Sequence, residues 1–307
     1  MIRVFVDGGA GTTGLEIRER LAGRRDVELL VLAEEQRKDA SARRYALNEA
    51  DIVVLCLPDD AAREAVALIE NDRTRVIDAS TAHRVAPGWI YGFPEVSGRE
   101  TVAHAKRVSN PGCYSTGFIA LVAPLVKAGL IPANLGLTSN AVSGYSGGGK
   151  NMIAEFENAT TPTAWRSYAL KLNHKHVPEM REHSGLSVSP IFAPAVVNLF
   201  SGMIVEVPLH LSALTGRPTV AALREALAAF YTGSPIVRVV SDFGESTLAI
   251  ERLAGTDRLD LFVFDDGRDD QVRLVAALDN LGKGAAGAAV QNLNLMAGLP
   301  EGEGLRL

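Results

Sequence analysis

The chain is short of cysteine, of cationic excess and of long apolar runs, and each shortage removes a class of protein. Its only cysteines are Cys56 and Cys113, too few and too far apart for a disulfide framework and suited to a reducing cytoplasm. No apolar run approaches the roughly 20 residues that a membrane-spanning helix needs. Lys and Arg total 31 against 36 Asp and Glu, a net charge of -5. That balance supplies no electrostatic pull toward nucleic acid or an anionic membrane. The first residues, Met1-Ile2-Arg3-Val4-Phe5-Val6-Asp7, lack the charged and apolar regions of a signal peptide, so a cytoplasmic protein is expected. Repeats are absent, as is low complexity beyond a glycine-rich stretch near 144–149. What remains is 47% hydrophobic and 22% charged over 307 residues, an ordinary globular composition with room for two domains.

The N-terminal third reads as a dinucleotide-binding domain. An apolar strand over 2–6 runs into Asp7-Gly8-Gly9-Ala10-Gly11-Thr12-Thr13-Gly14. Gly9, Gly11 and Gly14 satisfy G-x-G-x-x-G between a strand and a helical pattern (Leu15, Arg18, Leu21) that ends at Gly23. Glycines there allow a tight turn and close backbone approach, so that a pyrophosphate can sit on the helix N-terminus, with Thr12 and Thr13 in its first turn. A second strand spans 27–32 and is followed by Glu34, then Arg37 and Lys38. The acid suggests a ribose hydroxyl and NAD, whereas the two cations suggest a 2′-phosphate and NADP; the residues leave both open. Further strands over 51–57 and 75–79, with a helix over 61–70 between them, imply a doubly wound (Rossmann) parallel sheet of the α/β class. Cys56 reads as core. Polar clusters after the strands, Asp78 to Arg84 including Ser80, and Tyr91 to Glu95, fall where open α/β sheets bind ligands; His83 and Arg84 themselves read most simply as solvated loop.

The stretch Ser109-Asn110-Pro111-Gly112-Cys113-Tyr114-Ser115-Thr116-Gly117 joins a breaker dipeptide to a helical pattern. Phe118, Leu121, Val122, Leu125 and Val126 form its apolar face, and Gly129 and Pro132 end it. Cys113 therefore sits at the first turn, where unpaired N–H groups and the helix dipole favour thiolate and make it a candidate nucleophile. A strand over 135–142 leads to Ser143-Gly144-Tyr145-Ser146-Gly147-Gly148-Gly149-Lys150. Its exposed amides and the Lys150 charge suit a phosphate, although the stretch is not a Walker motif and a flexible linker is the equal alternative. In His174-Lys175-His176-Val177-Pro178-Glu179, read as extended, the histidines share a face. With Glu179 and His183 nearby they invite a zinc reading, but H-E-x-x-H is absent and no metal is expected. A histidine serving Cys113 as acid/base explains the pair more simply. Strands over 191–197, 203–211, 236–240, 259–265 and 271–279, with one helix over 220–231, predict an α+β domain with a mixed, largely antiparallel sheet. Asn280 to Gly287 opens a closing helix to Ala297 whose small residues permit close approach.

A dinucleotide domain, a thiolate at a helix N-terminus and a histidine pair suit one chemistry: thioester formation from an activated acyl group and reduction to an aldehyde. Ser109 to Thr116 resembles the active-site signature of the N-acetyl-gamma-glutamyl-phosphate reductase family of arginine biosynthesis. The resemblance extends to Gly9–Gly14, Tyr91–Glu95, Ser143–Lys150, His174–Glu179 and Asn280–Gly287, nearly the whole chain. Where longer members carry Ser or Ala and an aromatic, this chain has Gly9-Ala10-Gly11-Thr12-Thr13-Gly14, so it is similar to the short subtype.

Membership implies NADP, a cytoplasmic homotetramer, an acyl-phosphate substrate and inorganic phosphate. It implies a cofactor domain over 1–112, completed by a C-terminal helix within 284–307, and a catalytic and oligomerisation domain over 113–283. Cys113 is then the nucleophile and His176 the acid/base, being nearest Pro178 and Glu179, with His174 toward substrate. Gly9, Gly11, Thr12, Thr13, Gly14, Arg37, Lys38 and Ser80 would bind cofactor. Ser109, Asn110, Tyr145, Ser146, Lys150 and Glu179 would bind substrate. The competing readings are an aspartate-semialdehyde dehydrogenase-type sibling, a carrier-linked lysine-pathway relative and a non-catalytic dinucleotide sensor. The sibling usually shows a shorter Asn-Cys signature, so Pro111-Gly112 and Tyr114 count against it. The carrier-linked relative needs a basic docking surface, and the sensor needs no thiolate.

Overall fold

A computed structural model describes residues 1–37 and 39–307. The chain divides into two compact units, one of Met1–Pro111 with Ala285–Leu305, the other of Gly112–Gly284 with Arg306–Leu307.

The first unit is built on strands β1 (Ile2–Asp7), β2 (Val27–Leu30), β3 (Ile52–Leu55), β4 (Arg75–Asp78), β5 (Ile90–Tyr91) and β6 (Arg107–Ser109). They pair in the order β2-β1-β3-β4-β6-β5, every pair parallel. Strand alternation sends successive residues to opposite faces, and both faces are covered, which is why the strands read as continuous apolar runs. Val4, Ile52, Val54 and Ile77 pack under helices Thr12–Leu21 and Gly287–Met296 through Ile17, Ala289, Val290 and Leu293. Phe5, Val53 and Leu55 pack on the other side with Leu47, Ala62 and Ala65 of helices Ala40–Glu49 and Asp59–Ala67. The sequence pattern misses the helix Ala40–Glu49, which is mostly polar and starts where the Asp39 carboxylate accepts the N–H of Ala42 at 2.7 Å. The chain steps from β1 to β2 on one side and returns to β3 on the other, making a crevice at the carboxyl ends of these strands.

The second unit carries β7 (Thr138–Gly144), β8 (Trp165–Ser167), β9 (Ile191–Val197), β10 (Met203–His210), β11 (Val237–Val239), β12 (Leu259–Asp265) and β13 (Gln271–Leu278). Their order is β11-β12-β13-β10-β7-β9-β8. Pairs β7/β9 and β11/β12 are parallel and the rest antiparallel, so the sheet is mixed as its patterning suggests.

Helix Cys113–Lys127 lies on this sheet, and a Cβ at Gly117 would fall 2.7 Å from Val205 of β10. The expectation of a single apolar face is corrected here: every residue from Tyr114 to Leu125 is buried. A helix enclosed all round belongs to a core, and its small residues (Ser115, Thr116, Gly117, Ala120, Ala123) fill the sides that an amphipathic reading assigns to solvent. No described helix is long and apolar enough to cross a membrane.

Candidate active site

At the carboxyl ends of β1 and β2 a cleft of about 710 Å³ opens, walled by residues 5–10 and 29–32 together with Arg18, Glu34, Arg37 and Arg43. Its turn tolerates only glycine at two points. Gly8 has φ +81° and a Cβ there would fall 2.2 Å from the carbonyl oxygen of Cys56; at Gly14 it would fall 2.6 Å from that of Gly8. Helix Thr12–Leu21 begins at Gly11 with no side-chain cap and no acid in its first turn, so its N–H groups are left for an anion. Thr12 Oγ1 beside them is buried with no hydrogen-bond partner. An unopposed helix N-terminus, a buried orphan hydroxyl and a glycine cradle fit a dinucleotide pyrophosphate.

Two arginines of this cleft are paired with carboxylates. Arg43 donates from Nε and Nη2 to Asp7 at 3.2 and 2.8 Å. Arg37 stands 3.7 Å from Glu34, whose side chain is 84% exposed. Lys38, expected beside Arg37, lies outside the described residues. Ser80 points inward rather than into the cleft: its Oγ donates to Asp78 at 2.7 Å and its N–H to the same carboxylate at 2.9 Å.

His83 and Arg84 are not solvated loop. His83 Nδ1 lies 2.6 Å from Asp78, and its ring stacks on Trp89 at 4.0 Å. Arg84 is buried and donates from Nε to the carbonyl of Asn110 at 3.1 Å. Asn110 is itself engaged: its N–H donates to the Asp78 carbonyl at 2.7 Å, its Nδ2 to the Ala285 carbonyl at 2.9 Å, and its Oδ1 accepts from Asn292 at 3.1 Å. Ser109, equally buried, donates to the Ile90 carbonyl at 3.4 Å. These two residues shape the peptide that precedes the cysteine.

Cys113 is the first residue of helix Cys113–Lys127, and its preceding N-cap is Gly112 in extended geometry with no side-chain cap. The N–H of Gly112 donates instead to Glu179 Oε2 at 3.1 Å. Glu179 is 1% exposed, and its other oxygen lies 3.9 Å from His176 Nε2. One buried carboxylate thus links the start of the cysteine helix to an imidazole. Gly284 closes over the cysteine: a Cβ there would fall 2.9 Å from Cys113 Cβ and 2.9 Å from the Asp279 carbonyl.

The histidines meet in a turn. The extended geometry expected for 174–176 is corrected by His176, which is the N-cap of helix Val177–His183 with φ -83° and ψ -15°. Pro178, whose missing N–H is harmless in a first turn, is the second residue of that helix. The imidazoles still lie together, centroids 4.6 Å apart and edge to face at 85°. Tyr114, next to the cysteine, packs against both, at 6.0 Å from His174 and 5.9 Å from His176. Its hydroxyl donates to the Ala195 carbonyl at 3.1 Å and accepts from Tyr168 at 3.0 Å. Burial pushes both phenols up, and the neighbouring Cys113 charge adds to the rise in each.

The glycine-rich stretch is neither linker nor bare cradle. Tyr145–Gly148 forms a 3-10 turn and Gly149–Asn158 a helix that its glycines conceal in the sequence. Tyr145 stacks on Phe156 at 4.9 Å, and Ser146 is buried and accepts from Asn280 Nδ2 at 2.8 Å. Lys150 is exposed in the first turn of that helix. Among the described residues no group of three or more His, Cys, Asp or Glu is placed to hold a metal.

Residues 3–105 match the family described as semialdehyde dehydrogenase, NAD binding domain, and residues 113–280 the semialdehyde dehydrogenase, dimerisation domain. An N-acetyl-gamma-glutamyl-phosphate reductase of Rhizobium etli is 53% identical over 304 residues, covering 96% of this chain and 98% of its own. One from Trichormus variabilis is 48% identical over 318 residues, with 99% of each chain covered. The chain belongs to the N-acetyl-gamma-glutamyl-phosphate reductase family. A wider likeness of fold reaches aspartate semialdehyde dehydrogenase from Francisella tularensis, with a TM-score of 0.72 at 14% identity over 96% of this chain and all of that one. The first unit of this family member therefore binds a nicotinamide dinucleotide.

Several residues of the site carry no local signal in the sequence. Tyr168 stands on an edge segment six positions before His174, and Gly284 is one of several small residues in its run. Tyr114 is visible in the reductase-family signature, but its contact with both histidines is not.

Proposed function

We propose that this chain is an NADP-dependent reductase that converts N-acetyl-gamma-glutamyl phosphate to N-acetylglutamate 5-semialdehyde and phosphate in arginine biosynthesis. It acts through a thioester on Cys113, in the cytoplasm, as a homotetramer joined through the catalytic unit. One observation carries the chemistry: Cys113 opens a core helix whose next residue, Tyr114, packs against both His174 and His176. The substrate follows from relatives at 48% and 53% identity over nearly full length.

Cys113 attacks the acyl carbon; a C–S bond forms, the C–O bond to phosphorus's oxygen breaks, and phosphate leaves with the electron pair. A bound nicotinamide supplies the hydride for reduction at that carbon. His176 moves the proton at the former carbonyl oxygen, its ring oriented by Glu179 at 3.9 Å. Loss of that proton re-forms the C=O bond, the C–S bond breaks, and Cys113 departs as thiolate. His174 directs its Nε2–H to a substrate oxygen. Lys150, exposed at the start of its helix, attracts the anionic end of the substrate, with Tyr145 beside it. Ser109, Asn110, Ser146 and Glu179 act one step back, holding the backbone that presents Cys113 and the 145–150 turn. Gly9, Gly11, Thr12, Thr13 and Gly14 hold the pyrophosphate.

The test runs the reaction backward. N-acetylglutamate semialdehyde, NADP and phosphate together should give NADPH, and aspartate semialdehyde should give little. Equal turnover without phosphate would indicate a hydrolysing aldehyde dehydrogenase, and preference for aspartate semialdehyde would indicate the sibling enzyme.

A further inference from the structure

The cleft at the ends of β1 and β2 contains a cation with no task in the scheme above. We propose that Arg18 is the side chain by which this protein recognises the 2′-phosphate of its dinucleotide, a role that sequence position alone gives to Arg37 and Lys38. The inference rests on the dinucleotide site of the proposed reductase.

Arg18 lies in the second turn of helix Thr12–Leu21, and helical side chains lean back toward the N-terminus. Its stem accordingly crosses the phosphate turn: a Cβ at Gly9 would fall 2.9 Å from Arg18 Cδ and 3.7 Å from its Nη1. Glycine at position 9 is what lets the side chain lie there. The guanidinium thus shares the cleft wall with residues 29–32, the end of β2 and its continuation. In this fold the ribose 2′ position is read on that side.

Two neighbouring cations among the described residues, Arg43 and Arg37, are engaged. Arg43 is held by Asp7 through two nitrogens, which neutralises the carboxylate at the end of β1. Arg37 faces Glu34 at 3.7 Å. Among the described residues no carboxylate pairs with Arg18, although it lines the same cleft. A guanidinium with its donors available matches a phosphate through two parallel N–H···O bonds, and an ammonium does so less well. The pyrophosphate is common to NAD and NADP and has the helix N-terminus as its own site, so a 2′-phosphate contact is separable from it by comparing the two cofactors.

The measurement is calorimetric binding of NADP, NAD and 2′,5′-ADP to the full chain and to Arg18→Gln, Arg18→Lys and Arg37→Gln variants, each checked for native melting. Arg18→Gln should weaken NADP and 2′,5′-ADP by about 10- to 100-fold, as loss of a charged hydrogen bond does, and leave NAD nearly unchanged. Arg18→Lys should recover part of the loss, and Arg37→Gln should cost less. Equal weakening of NADP and NAD, or discrimination carried by Arg37 alone, overturns the assignment. A wild-type protein that binds NADP and NAD equally defeats the inference but not the reductase reading. One that binds neither defeats both.

Discussion

The backbone N–H of His176 donates to Nδ1 of His174 across 3.1 Å. Nδ1 is therefore an acceptor, and the neutral ring of His174 carries its proton on Nε2. In the proposed scheme His174 then donates a hydrogen bond to substrate, while His176, with Glu179 at 3.9 Å, exchanges the proton. His176→Ala should keep the phosphate burst, lose about 10²- to 10⁴-fold in kcat and flatten the neutral limb of the pH profile. His174→Ala should act mainly on KM. The reverse pattern would swap the roles, and unchanged kcat in both would end the histidine mechanism. Nitrogen NMR of the imidazoles checks the tautomer directly.

Replacing Cys113, the proposed nucleophile, separates binding from chemistry. Cys113→Ser should give no phosphate burst and no turnover, with NADP affinity unchanged in calorimetry. A residual burst would mean that acylation takes place elsewhere.

The two thiols should differ sharply in reactivity. Burial, with Asp78 and Asp7 adding, pushes Cys56 up to about 12, against roughly 8.5 in an unfolded chain. Near pH 8 a disulfide reagent should titrate one thiol in the native protein and two after denaturation. The sign of the linkage follows. Above about pH 8.5 the native thiol keeps its proton and the unfolded one loses it, so stability falls progressively toward pH 12. Cys56→Ala should make that alkaline decline shallower in melting experiments. An unchanged slope would place the loss in other groups, the buried phenols first.

Gly284→Ala tests the packing over the cysteine. The added methyl meets Cys113 Cβ and the Asp279 carbonyl, both at 2.9 Å. Stability should drop by about 1–3 kcal/mol, and kcat should fall while NADP affinity holds. A fully active variant would show that the cysteine does not need this contact.

Much of this was legible in the sequence because local and tertiary signals agree. β3 lies within an apolar run since it is buried on both faces, and the Gly9–Gly14 turn announces itself because Gly8 and Gly14 sit where a Cβ cannot fit. Pro111-Gly112 marks the start of the cysteine helix for the same kind of reason. What stayed hidden depends on partners distant in sequence. Helix Gly149–Asn158 begins in glycines that read as loop. The histidines meet through a turn that leads into helix Val177–His183, whereas their spacing suggests alternation along a strand. The bonds of the Asn110 amide run to Ala285 and Asn292, residues 175 and 182 positions away. Nothing in the local sequence links Gly284 to Cys113.

The Tyr114–Tyr168 hydroxyl pair also gives the protein an optical gauge of its own chemistry. A charge at Cys113 acts on both phenols, and acylation in the proposed scheme replaces a thiolate with a neutral thioester. The near-ultraviolet bands of two phenols in a rigid, asymmetric setting should move when that charge disappears and return when the aldehyde is released. Formation and decay of the acyl-enzyme can then be followed by stopped-flow difference absorbance without any attached label.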